Sequence, residues 1–449
     1  MEARSDFYPY LAVWAALIAG LVGYMWRSRR GSAGLVLGYV FQLWMYYWVG
    51  GLIHSFPWSE LPQSDLVFLG FQQATWALLA FLAGAALARG IFRRQADRLG
   101  RLRYEADPKL PRAYMFSGVF SYFVLLPTLG RLPSLNALTA VGQQLIVVGF
   151  ALQCWLAWQR GKLPVLARQL GYLALLPAVT VLGQGFLGYG VMAASTVLIF
   201  VAQFFRPRWA LIATGSVAAY VGLSFYIAYM AHRTELRASV WGGEELSSRV
   251  DRLKEMLASV EPFDFQNPVH LETVDGRVNQ AGLVGAAVWH LSATGDYAHG
   301  STVWDALIGV IPRIIWLDKL IVAGSMGYAS RFTGMTFAEG TSVGMGQVME
   351  FYGNFGEAGV WIGFFAYGVL VGALDLLAVA RLAAGDWQGF AYRFLVGIAF
   401  LNASGSLFEV STSAAAGAVL MRIVNTVLHK YQRMRERHRQ AALAPPVSG

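Results

Sequence analysis

The chain has 449 residues and a net charge of +9, with 56% hydrophobic and only 14% charged side chains. A soluble domain carries roughly 25% charged residues, so this composition excludes an ordinary soluble fold and reads as an all-α, polytopic integral membrane protein. The surplus positive charge is not a nucleic-acid footprint. The cations sit mostly in short connections between apolar runs, where they orient helices in a bilayer.

A spanning helix needs about 20 apolar residues. On that measure the chain predicts about eleven spans, at residues 8–26, 34–54, 67–92, 114–129, 135–158, 169–185, 189–205, 209–230, 356–381, 389–404 and 406–428. The first run follows Glu2, Arg4 and Asp6 rather than a basic start. Arg27, Arg29 and Arg30 come after it where a small-residue cleavage site would stand, so it reads as a retained helix. Cys154 is the only cysteine, which rules out an intramolecular disulfide and every cysteine-rich metal motif. In its apolar run it reads as a small buried hydrophobe.

Orientation follows from the parity of the connections. Those at 27–30, 93–112, 160–168, 206–208 and 381, and the tail at 429–439, are basic. The alternate short ones, 55–66 and 130–134, hold no cation and one cation, Arg131. The positive-inside rule puts the basic set and the C-terminus in the cytoplasm, and the N-terminus and the large loop outside. The organisation is then an N-terminal bundle at 1–230, one large extracytoplasmic loop at 231–345, C-terminal spans at 346–428 and a basic tail at 429–449. The tail suits contact with anionic headgroups, or serves only as a stop signal.

The loop has structure of its own. At 244–258, Leu246, Val250, Leu253 and Leu257 recur at helical spacing and predict an amphipathic helix. Residues 280–292 and 303–315 are apolar enough to dip into the bilayer but too short to cross it. A loop this long with its own helices is functional more often than a spacer. Polar groups gather at its helix flanks: His232, Arg233, Arg237, Asp275, Arg277, Asn279, His290, Arg313, Lys319 and Arg331. Arg233 and Arg237 are one helical turn apart on a shared face. Several cations beside a bilayer suit a diphosphate, which arginine grips in a bidentate way; each taken singly is equally well an interface anchor.

Residues 346–356, GQVMEFYGNFG, lead into the ninth span. If helical, they set Gln347, Glu350, Asn354 and Glu357 in one polar stripe at membrane depth, where charged groups are costly. Glu350 is a candidate general base, or a structural partner for a loop arginine. Glu409 marks the outer end of the last span, within reach of the same cavity. Arg393 and Arg422 snorkel at the cytoplasmic ends.

The order of these motifs resembles the Wzy-type oligosaccharide repeat-unit polymerases, the O-antigen and exopolysaccharide polymerases. The resemblance rests on DGRVNQAGLV at 275–284, HGSTVWDALIGVIPRIIWLDK at 299–319, and GQVMEFYGNFGEAGVWIGFFAYGVLVG at 346–372, with Ile311-Pro312-Arg313, Trp316, Lys319, Glu350, Tyr352 and Asn354-Phe355-Gly356 carrying it. It covers the C-terminal half by motif and the N-terminal half by topology alone. Leu320 stands where the pattern leads one to expect proline. The resemblance implies an inverting, metal-independent glycosyltransferase of the GT-C type that needs no cofactor. It would join undecaprenyl-diphosphate-linked units at the outer face of the inner membrane, beside a flippase and a chain-length regulator. Arg277, Arg313, Lys319, Arg233 and Arg331 would then meet the diphosphate. Glu350, Asp275 and His290 are the candidate bases, and Tyr352, Asn354 and Glu409 would position glycan. His232, His270 and His290 keep an O-antigen ligase-like transferase open as an alternative. A flippase or transporter of a lipid-linked glycan is the other.

Overall fold

The computed structural model describes residues 2–27, 31–130, 133–205, 209–311, 316, 325–338 and 343–443. Every regular element among them is helical. In chain order the helices are α1 (Phe7–Arg27), α2 (Leu35–Ser55), α3 (Ser64–Arg101), α4 (110–129), α5 (Leu135–Gln159), α6 (Leu163–Gln184), α7 (Leu187–Ala202) and α8 (Trp209–Trp241). Five shorter or amphipathic ones follow: α9 (Leu246–Ala258), α10 (Pro268–Val278), α11 (Ala281–Thr294), α12 (Ser301–Gly309) and α13 (Ser325–Thr333). The chain closes with α14 (Gln347–Ala383), α15 (Trp387–Ala399) and α16 (Leu407–Leu443). Among the described residues seven helices are long and apolar enough to cross a membrane: α1, α2, α3, α5, α6, α14 and α16. The architecture is that of a helical membrane protein.

The spine is α3 against α14. Glycines let the two backbones meet: a Cβ on Gly84 would collide with the Phe365 carbonyl, and one on Gly368 with the Phe81 carbonyl. Small residues at such crossings are how helices pack tightly where no hydrophobic effect separates lipid from protein. The same device seats α11 on the opening turns of α3, where Gly70 meets the Ala281 carbonyl and Gly285 the Leu66 carbonyl. The apolar α11, too short to span, is thus packed beside a span.

Charge at the other end of α14 is also accounted for. Asp375 is 1% exposed. It accepts from the Ser32 hydroxyl at 2.9 Å and the Leu35 amide at 2.8 Å, with the Arg89 guanidinium 4.0 Å away. The carboxylate therefore caps the start of α2, where orphan amides and the helix dipole favour an anion.

The structure departs from the sequence expectations at three places. α8 does not stop at 230 but runs to Trp241, so Arg233 and Arg237 extend a helix rather than open a loop. Arg237 makes that extension favourable: its guanidinium lies 4.3 Å from the Phe186 ring and 5.8 Å from the Trp241 ring, and its Nε donates to the Gly185 carbonyl at 3.2 Å. α14 begins at Gln347 and not at 356. It breaks at Phe355 and at Gly356, whose φ of 63° and ψ of −150° are open to glycine almost alone. Finally, α2 contains a π turn at Trp44–Trp48. Such turns free a backbone carbonyl, and here the Tyr46 carbonyl accepts the Gln280 amide at 2.9 Å, joining the span to the start of α11.

Candidate anion-binding groove

Two polar regions lie where the 231–345 segment meets the bundle, and they are built differently. The first lies along the opening turns of α14, where Gln347, Glu350 and Asn354 are 0%, 1% and 0% exposed. Their spacing does put them on one face, as the sequence implied, but the break at Gly356 removes Glu357 from the stripe and leaves it exposed. Every member is engaged. The Gln347 amide donates to the Asn402 carbonyl at 2.8 Å and to the Gly405 carbonyl at 2.5 Å, and its oxygen accepts from Tyr39 at 2.9 Å. Asn354 donates to the Thr302 hydroxyl and the Glu350 carbonyl, both at 2.7 Å, and accepts from the Gly300 amide at 2.9 Å.

Glu350 accepts from the amide of Leu407, the first residue of α16, at 2.6 Å, with a further side-chain hydrogen bond to Thr302. No arginine pairs with it among the described residues. Glu409 completes the same helix start: Ser406 Oγ accepts the Glu409 amide at 3.2 Å, and the Glu409 carboxylate accepts the Ser406 amide at 3.3 Å. This is a reciprocal capping box on the sequence Ser-Leu-Phe-Glu. Glu350 and Glu409 are thus both spent on the N-terminus of α16, where negative charge is stabilising.

The second region is a groove of about 450 Å³ between α8 and α10, bordered by Ile227, Met230, His270, Glu272, Thr273 and Arg277 among others. α10 starts where it does because Asn267 caps it, accepting the Val269 amide at 2.9 Å, and Pro268 fills the first helical position. Arg277 is exposed and lines the groove. Arg233, half-buried on α8 beyond the apolar stretch, feels the Arg277 charge. Burial first, then the charges of Arg237 and Arg277, hold Arg233 below its ordinary pKa. Among the described residues neither Arg233 nor Arg277 has a carboxylate or carbonyl partner. Two arginines that repel one another without a counter-ion carry an electrostatic cost that a bound anion removes.

The remaining sequence candidates divide between other networks. Asp275 lies about 200° around α10 from Arg277 and faces α2. There its Oδ1 accepts from Asn279 at 2.7 Å and lies 3.1 Å from His54 Nε2, while His54 Nδ1 lies 3.0 Å from the Ser64 hydroxyl. His54 is fully buried, so this relay ties α2, α3 and α10 together. Arg331 is paired: it grips Asp296 through Nε at 3.0 Å and Nη2 at 2.7 Å, which lowers the Asp296 pKa and raises its own. His290 packs against Gly334, whose φ of 68° brings its backbone onto the imidazole ring. The Tyr352 hydroxyl is 3.3 Å from the Ser292 hydroxyl. Arg313 and Lys319 lie outside the described residues. No group of acidic, histidine and cysteine side chains among the described residues has the arrangement of a metal site.

Sequence reasoning passed over Glu272 and gave His54 no role. His54 reads as the end of an apolar run, and its partner Asp275 is 221 residues away. Glu272 shows a usable signal: once Asn267-Pro268 is read as a helix start, residues 269, 273, 276 and 277 fall on one face with His270 and Glu272 at its edges.

Fold and groove together define a helical membrane protein with a polar groove, bordered by His270, Glu272 and Arg277, between α8 and α10. The chain belongs to the family described as Domain of unknown function (DUF8712), which matches residues 70–435, from α3 through most of α16. No curated protein and no solved structure matches the chain.

Proposed function

We propose that the protein polymerises undecaprenyl-diphosphate-linked oligosaccharide repeat units at the periplasmic face of the bacterial inner membrane. The observation that carries this reading is Arg277, which lines the groove, with Arg233 close enough to feel its charge, neither having a carboxylate partner among the described residues. A diphosphate carries the charge that such a pair lacks, and guanidinium forks match its oxygens. Among the described residues seven helices are long and apolar enough to cross a membrane, and on this reading the cationic connections set the groove on the periplasmic side and the basic tail in the cytoplasm.

In the proposed reaction the acceptor hydroxyl loses its proton and its oxygen forms a bond to the anomeric carbon. The carbon–oxygen bond to the diphosphate breaks, and the electron pair leaves on the diphosphate. Arg277 and Arg233 stabilise that developing charge, which is the largest demand of the step. Glu272, exposed on the groove wall, is the carboxylate placed to take the acceptor's proton. The apolar wall formed by Ile227 and Met230 suits the first isoprene units. Membrane lipids surround the bundle, and a flippase and a chain-length regulator are its expected partners.

The test is reconstitution of the purified protein with its lipid-linked repeat unit. A ladder of lipid-linked polymer, formed in the presence of a chelator, supports the reading. Movement of the unit across proteoliposomes without a ladder replaces it with a flippase, and transfer to a lipid A core acceptor alone replaces it with a ligase.

A further inference from the structure

Of the four histidines within 231–345, the sequence singles out His232, His270 and His290, and their ring nitrogens are used differently. His232 Nε2 is 3.0 Å from the Ser259 hydroxyl and its Nδ1 is 3.7 Å from Glu235. His290 is wedged against Gly334. His270 alone lines the groove that holds Arg277. It is 8% exposed, its ring stacks on Phe263 with centroids 5.4 Å apart, and its Nδ1 lies 3.0 Å from the Asp264 amide.

That last bond fixes the chemistry. A backbone N–H can only donate, so Nδ1 is the acceptor and the neutral ring carries its proton on Nε2. Among the described residues Nε2 has no partner. A ring held by stacking on one side and a backbone amide on the other, lining the groove and with no partner for its Nε2–H among the described residues, is a preorganised donor. Phe263 is itself fixed, its amide donating to Ser224 at 2.9 Å and its carbonyl accepting from Tyr220 at 2.8 Å, both on α8. The donor is therefore referenced to the same helix that carries Arg233.

We infer that His270 contacts the substrate, its Nε2–H donating to a diphosphate oxygen of the lipid-linked ligand held by Arg277 and Arg233. The inference rests on the proposed function for the identity of the ligand. It gives His270 the role of a neutral hydrogen-bond donor, not of a base, because Nδ1 is occupied by the Asp264 amide and the remaining nitrogen, Nε2, bears the proton. A donor of this kind acts without adding a third positive charge to a pair that already repels.

The test uses the full-length protein in nanodiscs, with farnesyl diphosphate and inorganic pyrophosphate as probes. His270→Ala is expected to weaken farnesyl diphosphate binding about tenfold or more, the loss of one hydrogen bond to a charged group. His270→Gln, whose amide can donate from the same place, is expected to stay within about threefold of wild type. In ¹⁵N-histidine spectra the His270 resonances, located by their absence in His270→Gln, should show a protonated Nε2 that shifts on adding the diphosphate. Wild-type affinity in His270→Ala, with Arg277→Ala impaired, overturns the inference and leaves the groove standing. So does a ring protonated on Nδ1 that is unmoved by ligand. If pyrophosphate binds as tightly as farnesyl diphosphate, the site takes a free anion and the lipid part of the inference falls. Failure of wild type to bind either probe overturns the proposed function and this inference with it.

Discussion

The network under α14 and the groove beside α10 are both polar regions where the 231–345 segment meets the bundle, yet they are opposites in their hydrogen bonding. In the network each carboxylate and carboxamide is met by a backbone amide, carbonyl or hydroxyl, and Glu350 and Asn354 have almost no exposed surface. In the groove Arg277 and the Nε2 of His270, and beside it Arg233, are left without hydrogen-bond partners among the described residues. A buried polar group must be satisfied to be tolerated, so completeness is the mark of a structural element. Incompleteness beside open space is the mark of a site that a ligand finishes. By that criterion the most conspicuous motif of the sequence, around Glu350, is fastened to the start of α16, and the proposed working surface is the less conspicuous α10.

The contrast can be broken first at Glu350. Glu350→Ala removes the acceptor for the Leu407 amide and a hydrogen bond to Thr302 in a sealed site. The cost expected from the unmet amide and the lost bonds is about 2–4 kcal/mol, read as a fall in thermal unfolding temperature. If stability is unchanged while product formation is abolished, Glu350 is chemical and the division fails. Next, Arg277→Ala is expected to reduce product about tenfold to a hundredfold, with unfolding unaltered because the side chain is exposed and unpaired. Gly356→Ala forces a side chain into the φ and ψ that break α14, and should destabilise by about 1–3 kcal/mol. Ser406→Ala opens the capping box at a cost of about 1 kcal/mol, and it should do so without a change in affinity for diphosphates.

The smallest effect expected is at Asp296 and Arg331. The Asp296 pKa is lowered in the folded protein, chiefly by the hydrogen bond from Arg331. Its contribution is therefore complete above the ordinary carboxylate range and is lost only as pH falls through the lowered value. Asp296→Asn should therefore lower stability only slightly, by the same amount throughout about pH 6 to 8, with activity unchanged. A steep dependence in that window would mean that the pair does more than join α13 to the segment before α12.

Much of the helical framework is legible in the sequence, because long apolar runs and cationic connections report it directly. The pairing of Arg233 with Arg237 on one helix face was also legible, being local. What the sequence hides is long-range. Glu350 meets the amide of Leu407, 57 residues on, and no spacing rule connects a carboxylate to a helix start that far away. The break at Phe355 and Gly356 depends on the chain crossing there, where the Ala298 and His299 amides take up the Gly353 and Asn354 carbonyls. The sorting of arginines into paired and unpaired depends on which carboxylates fold beside them. Arg331 finds Asp296, and Arg277 finds none among the described residues. Sequence composition lists the cations and cannot rank them.

The most direct test of the central claim measures product formation and thermal unfolding together, on purified Arg277→Ala and Glu350→Gln proteins in nanodiscs with the lipid-linked repeat unit. The expected result is a crossed pattern. Arg277→Ala keeps the wild-type unfolding temperature and loses polymer, while Glu350→Gln unfolds earlier and retains polymer below that temperature. The reverse pattern, with stable but inactive Glu350→Gln and fully active Arg277→Ala, would contradict the account.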